Sequence, residues 1–293
     1  MRVVPPSVVV PGHSDHELLS TIAGEIRRRV GIGIDAAVAE TVLQAVEFVL
    51  DPVSTGRTRL AQLDNVEKTF IGLKAEHFIR DLLDAPKGLR DLVIAGHDVD
   101  VKNTVGQSWC WMIPPETYRS LEPCLLLAAD EEQRRAWMGL IVARDQYLGA
   151  PNRDRKRSVL ASAYKNILWI VEGEPWPINR WAGLDMARFR ELRKMRGGAR
   201  RAATFFQENQ RRPTHRSVVV ALLYDQDDPM KRLRGNGGAK DILRPMGIAL
   251  LSGTYFNPIL ERLSLPRIGR DEHMAVDVRT VEEQAILREV GEV

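Results

Sequence analysis

The sequence predicts an α/β (α+β) fold in two domains: a mixed sheet flanked by helices, followed by a mainly helical, basic domain. Three observations carry this expectation. Helical periodicity fills most of residues 16 to 83, and period-two alternation replaces it at 91 to 103. The charge balance then reverses. Residues 1 to 150 carry 16 Lys/Arg against 21 Asp/Glu, whereas residues 151 to 270 carry 24 against 11. Finally, 293 residues, 44% of them hydrophobic, are enough for two separate cores.

Taken in chain order, Ser14 and Glu17 have capping-box spacing ahead of ELLSTIAGEIRRRVG, and Asp35 opens a second helical run, AAVAETVLQAVEFVL. STGRTRL makes a turn. Asp64 and Glu67 then cap a third helix, in which Phe70, Leu73, Phe78 and Leu82 recur at helical spacing. After Ala85-Pro86-Lys87-Gly88, the segments DLVIAG and HDVDVKN alternate around Gly96 and predict a β-hairpin. CLLLAAD (124–130) and AWMGLIVAR (136–144) are strand-length apolar runs separated by a polar turn, and SVLASAYKNILWI predicts a short helix. The connector EGEPWPINRW places the domain boundary near residue 173, giving domains 1–172 and 173–293. Beyond it, DMARFRELRKMRGGARRAATFFQEN is a basic helical stretch, RSVVVALLYD an apolar element and GIALLSGTYF a strand. That order is compatible with a winged-helix domain. Residues 271 to 293, with 2 basic against 7 acidic side chains, form an acidic tail.

Composition excludes several classes. No apolar run approaches the ~20 residues that span a bilayer, and the first residues lack the plan of a signal peptide. A cytoplasmic chain without a membrane partner is therefore expected. Cys110 and Cys124 form no CxxC pair and have no histidine cluster nearby, so they are expected to be buried small hydrophobes and not zinc ligands or a disulfide framework. The net charge of +13 over residues 151 to 270 suits a polyanion, although a solvated arginine-rich surface has the same composition. GNGGAKD lacks the Gly-Lys-Ser/Thr ending of a phosphate-binding P-loop. A helix starting near Gly238 would still aim Lys240 outward beside Lys231, Arg232, Arg234 and Arg244, a set able to grip DNA phosphates or simply to form a solvated basic loop. Trp109 and Trp111 are expected in the core.

Asp100 and Lys102 lie two apart on the second hairpin strand, so both side chains leave the same face. Asp91 begins the antiparallel partner and brings a second carboxylate to that face. Glu76, on the preceding helix, is a third acidic candidate. Two carboxylates form a hard oxygen site suited to Mg²⁺, and an adjacent ammonium can position a nucleophilic water and offset developing charge. The same spacing also suits a charge pair on a solvated sheet face.

Beyond single residues, TGRTRLAQL with EKT after it, LKAEHF, IAGHDVDVK, WMIPPE, YLGAPNRDRKR and DPMKRLRGNGGAKDILRPMGIALL stand in one order from about residue 55 to 251. This series resembles the NaeI-type restriction endonucleases, a branch of the PD-(D/E)XK nucleases. The resemblance places the helix glutamate on Glu76, the first aspartate on Asp91 and the Asp-x-Lys pair on Asp100 and Lys102. It implies a homodimer whose restriction-endonuclease-like domains cut double-stranded DNA with Mg²⁺. It also implies a second domain with a helix-turn-helix motif that holds another DNA copy as effector. Residues 1–50 and 255–293 depart from the family pattern. A nicking or repair nuclease shares such a site. A non-catalytic DNA-binding regulator is the alternative from another class, although it has no need of all four acidic and basic residue types retained here.

Overall fold

The computed structural model describes residues 4–176 and 179–293. Two residues of the expected connector, 177 and 178, lie outside them. Residues up to 51 together with 58–176 form one compact unit, and 52–57 together with 179–293 form a second.

In the first unit, helices α1 (His16–Val30) and α2 (Ile34–Leu50) are followed by one turn, α3 (Pro52–Thr55), which belongs to the second unit, and then by α4 (Asn65–Leu82). Strands β1 (Leu92–Ile94), β2 (His97–Val105) and β3 (Met112–Ile113) come next. Helix α5 (Pro115–Arg119) then leads into β4 (Pro123–Asp130), β5 (Arg135–Val142), β6 (Leu148–Pro151), β7 (Arg157–Val159) and β8 (Leu168–Pro175). The main sheet has the order β1-β2-β4-β5-β8 and is mixed: β2 and β4 are parallel and the other neighbours antiparallel. β4 is buried along its whole length, because both faces of the sheet are covered. Leu125 and Leu127 pack with Ile22, Val42 and Ile71 of the helices. Leu126 and Ala128 face the opposite way, into a cluster with Trp109, Trp111, Trp137 and Trp169. Both expected core tryptophans are therefore buried.

Asp64 caps α4 as its spacing predicts: its carboxylate accepts from Glu67 N at 2.8 Å, and Glu67 returns a bond to Asp64 N. Ser14 and Glu17 form no such box. Helix α1 begins at His16, and the Asp15 carboxylate is instead buried against Arg144. Over 158–170 the expected short helix is a 3₁₀ turn (Ala161–Asn166) running into β8, because the apolar run Ile167–Val171 has no helical period and pairs with β5. β8 continues to Pro175, past the boundary expected near residue 173.

In the second unit, α6 (Met186–Arg193) and α7 (Gly198–Glu208) divide the basic stretch at Gly197, whose φ of 85° no helix interior adopts. β9 (Thr214–His215), α8 (Arg216–Leu222), a 3₁₀ turn (Met230–Leu233), α9 (Ala239–Leu243), β10 (Ile248–Ser252), α10 (Asn257–Arg262), β11 (Glu272–Asp277) and α11 (Val281–Glu289) follow. β11 lies between β10 and β9 in an antiparallel sheet. One face of this sheet presents Ile248, Leu250 and Ala275 to α6–α9, and the other presents Leu251, Met274 and Val276 to Leu260 and Leu287. The acidic tail is thus part of the fold. Its Asp277 and Glu283 bind Arg211 at 2.8 Å each, and Glu289 binds Arg262. No helix among the described residues is long and apolar enough to cross a membrane.

Candidate active site

The β1–β2 hairpin turns through Ala95 and Gly96, with φ of 51° and 81°, so both central residues have the positive φ of a tight two-residue turn. Its register pairs Leu92 with Val99, and continuing it one step sets Asp91 beside Asp100. A further clamp holds the entry to the hairpin. Asp98 Oδ1 accepts from Leu89 N at 2.6 Å, so close to Gly88 that a Cβ there would collide with the carboxylate.

Strand alternation then sorts the side chains. Val99 and Val101 join the core under the helices, while Asp100 and Lys102 align with Cys124 and Leu126 on β4, on the other face. Asp100 is 3% exposed. Its Oδ1 accepts from Lys102 Nζ, and its Oδ2 accepts from the buried hydroxyl of Thr117 on α5 at 2.7 Å. Asp91 Oδ2 accepts from Val101 N at 2.6 Å and lies 3.8 Å from Lys102 Nζ. Lys102 Nζ also donates to the Val101 carbonyl at 3.0 Å. Burial pushes Asp91 up to about 6, reinforced by its contact with Asp100 and the negative charge of Glu76. Burial, with the negative charges of Asp100, Glu122 and Asp91, pushes the Cys124 thiol up, so it stays protonated.

Glu76 reaches this region from α4. It lines a cleft of about 500 Å³ together with Lys102, Asn103, Glu116 and two further lysines, Lys68 and Lys156. Cys110, expected in the core, is exposed at that cleft. Asp91, Asp100 and Lys102 are therefore in mutual contact, whereas Glu76 faces them from a separate element. Among the described residues, no three acidic, histidine or cysteine side chains are close enough to form a ready-made metal cage. The donors present are nonetheless carboxylate oxygens, with the Val101 carbonyl beside them. This set fits a hard divalent cation that keeps several waters.

Thr117 was not singled out by the sequence. It lies 17 residues from Asp100, just after the WMIPPE segment, and only the return of α5 beneath β2 brings the two together.

In the second unit, Lys231, Arg232, Arg234 and Arg244 are exposed and form no ion pair among the described residues. Lys240 differs from the expectation. Instead of pointing outward it is half-buried, with Nζ held by both Glu292 carboxylate oxygens at 2.7 and 2.8 Å. Helix α9 has only five residues, and the N–H of Gly237 ahead of it is taken by Asp241 at 2.6 Å.

Comparison with known proteins places this geometry in context. The chain is 31% identical over 243 residues to the type II restriction enzyme NaeI of Lentzea aerocolonigenes, covering 79% of this chain and 75% of that enzyme. The family model described as restriction endonuclease NaeI matches residues 32–286, a span holding the hairpin, α4, α5 and nearly all of the second unit. The chain belongs to the NaeI restriction endonuclease family.

Proposed function

We propose that this protein is a Mg²⁺-dependent type II site-specific deoxyribonuclease that hydrolyses phosphodiester bonds in double-stranded DNA. The observation that carries this reading is the convergence of Asp91, Asp100 and Lys102 on one hairpin within a family match covering most of the chain. Asp91 and Asp100 would hold the cation, with Glu76 on the neighbouring cleft wall. When bound, Mg²⁺ supplies Lewis-acid polarisation of the scissile phosphate.

The chain's own groups do the rest. Val101 N and Thr117 Oγ1 each fix one oxygen of a carboxylate, so neither acid needs to reorient as substrate arrives. Lys102 is in contact with both carboxylates, and its ammonium is the group of this chain that would position the attacking water and offset charge developing on the phosphate. Glu76 is placed to order a second water. Lys68 and Lys156 line the same cleft and supply contacts to flanking phosphates.

The second unit is read as the DNA-binding part, of winged-helix type. The order helix, short strand, two helices and two strands, with α10 inserted between the last two, supports this, as does the placement of β11 between β10 and β9. Lys231, Arg232, Arg234 and Arg244 contact phosphates, and a second DNA copy held there stimulates cleavage. Such a coupling is reciprocal in affinity. A homodimer acting in the cytoplasm completes the proposal.

The test is digestion of plasmid and genomic DNA by the purified protein with Mg²⁺ or with EDTA. Discrete double-strand fragments that require Mg²⁺ are expected. Nicked circles alone would assign a strand-nicking enzyme, and DNA bound but intact on several unmethylated substrates would make the protein a non-catalytic regulator.

A further inference from the structure

The second unit contains a concavity of about 390 Å³, within the ~300–1,000 Å³ range of small-ligand pockets. Its walls come from the turn before α9, the inner ends of β10 and β11, and the loop joining those strands. Three guanidiniums stand around it, those of Arg216, Arg234 and Arg270, each exposed and without an ion pair among the described residues. Lys240 also lines it, but Glu292 neutralises that ammonium, and the one carboxylate lining the pocket is Asp271. Arginine charge therefore predominates among the polar groups of the lining. Met230, Leu233, Leu250 and Phe256 supply its apolar part, with the Lys240 ammonium 4.8 Å from the centre of the Phe256 ring.

The loop wall is built in advance. Asn257 Nδ2 donates to the carbonyls of Gly253 and Ile268 at 2.9 and 3.0 Å, and its Oδ1 accepts from Ile268 N at 2.9 Å. Thr254 Oγ1 donates to the Arg270 carbonyl at 3.0 Å. At the loop base Gly253 abuts the Gly269 carbonyl so closely that any Cβ would collide with it. Tyr255, Phe256 and Arg270 are thus held on a closed frame that needs little further ordering when a ligand enters.

We propose that this concavity is a nucleotide pocket, taking one nucleoside monophosphate unit with its phosphate on Arg216, Arg234 and Arg270 and its base against Met230, Leu233 and Phe256. Guanidinium forks match phosphate oxygens bidentately, and an inorganic anion would leave the apolar lining residues unused. His273 lines the pocket as a neutral imidazole, because burial and the nearby Lys240 pull it down to about 4, so it adds no charge and can exchange a hydrogen bond with a base edge. Half of the lining residues come from 252–273. None of its lining residues belongs to the first unit, so the proposal does not depend on the nuclease chemistry. Two sources offer this ligand: a free nucleotide, or a terminal or extrahelical nucleotide of bound DNA.

Calorimetry on the full chain separates them, with deoxynucleoside 5′-monophosphates, inorganic phosphate, a blunt duplex and a duplex bearing one 5′-phosphorylated unpaired nucleotide as probes. A monophosphate binding at least about tenfold more tightly than inorganic phosphate supports a free-nucleotide site. If the monophosphates do not bind but the overhang duplex gains about tenfold over the blunt one, the source is DNA. In either case Arg270→Ala, at an exposed loop position, and Ser252→Trp, which fills the cavity, must remove the gain while blunt-duplex binding persists. Equal binding of phosphate and monophosphate, no preference for either nucleotide probe, or a gain that survives both substitutions would overturn the proposal.

Discussion

The two compact units handle charge in opposite ways. In the first, the informative charges are buried and in contact: Asp100 is closed in by Lys102 and Thr117, and Asp91 is pushed up to about 6 because burial and like charge surround it. In the second, Lys231, Arg232, Arg234 and Arg244 are exposed and form no ion pair among the described residues, whereas Lys240 is neutralised by Glu292. Convergent, partly uncompensated carboxylates invite a cation and chemistry, while dispersed surface cations invite a polyanion and bind through counterion release. Substitutions in the two units should accordingly fail in different ways: first-unit changes should act on rate or metal dependence, and second-unit changes on salt-dependent affinity.

The first effect falls on the cleft wall. Glu76→Ala should lower the cleavage rate by about 10²-fold with DNA affinity unchanged, as loss of a positioned acid–base or water-holding group does. Single-turnover cleavage beside a binding assay measures both, and an unchanged rate would remove Glu76 from the site. Thr117→Val should cost roughly tenfold in cleavage and weaken Mg²⁺ dependence, as loss of a partner orienting a metal-binding carboxylate does, and Thr117→Ser should restore both. If Ser fails to rescue, Thr117 only packs α5 against the sheet.

Asp91→Asn should separate function from stability. A carboxyl raised to about 6 in the fold binds its proton more tightly than the unfolded chain does. Its stabilising contribution is therefore complete below the ordinary carboxyl range and is lost as pH rises through about 6. Removing the charge should make the cation-free protein more stable above pH 6 by ~1 kcal/mol, while abolishing cleavage. Thermal melts at pH 5 and pH 8 in EDTA test this, and equal gains at both pH values would contradict it. The smallest effect concerns the surface cations. Arg232→Ala should lower the salt slope of DNA binding by about one, whereas Lys240→Ala should leave it nearly unchanged. Equal slopes for the two variants would mean that Glu292 releases Lys240 when DNA binds.

The hairpin was legible because period-two alternation is local: once Ala95-Gly96 sets the turn, the faces of Asp100, Val101 and Lys102 follow. The Asp64–Glu67 box was legible for the same reason, since its partners are three residues apart. What escaped was long-range. Thr117 meets Asp100 across 17 residues and Glu292 meets Lys240 across 52, and no spacing rule encodes such pairs. Ser14 failed as a cap because Arg144, far along the chain, engages Asp15. The acidic ending read as a tail because charge composition carries no sign that β11 lies between two other strands.

The central claim is that the hairpin carboxylates and lysine form the nuclease centre, and comparison of wild type with Asp100→Ala and Lys102→Ala tests it most directly. Cleavage and DNA binding are measured on the same substrate in Mg²⁺. The account predicts that both variants bind DNA as wild type does and lose about 10³-fold or more in cleavage. Cleavage by either variant at the wild-type rate would contradict it and place the chemistry elsewhere in the chain.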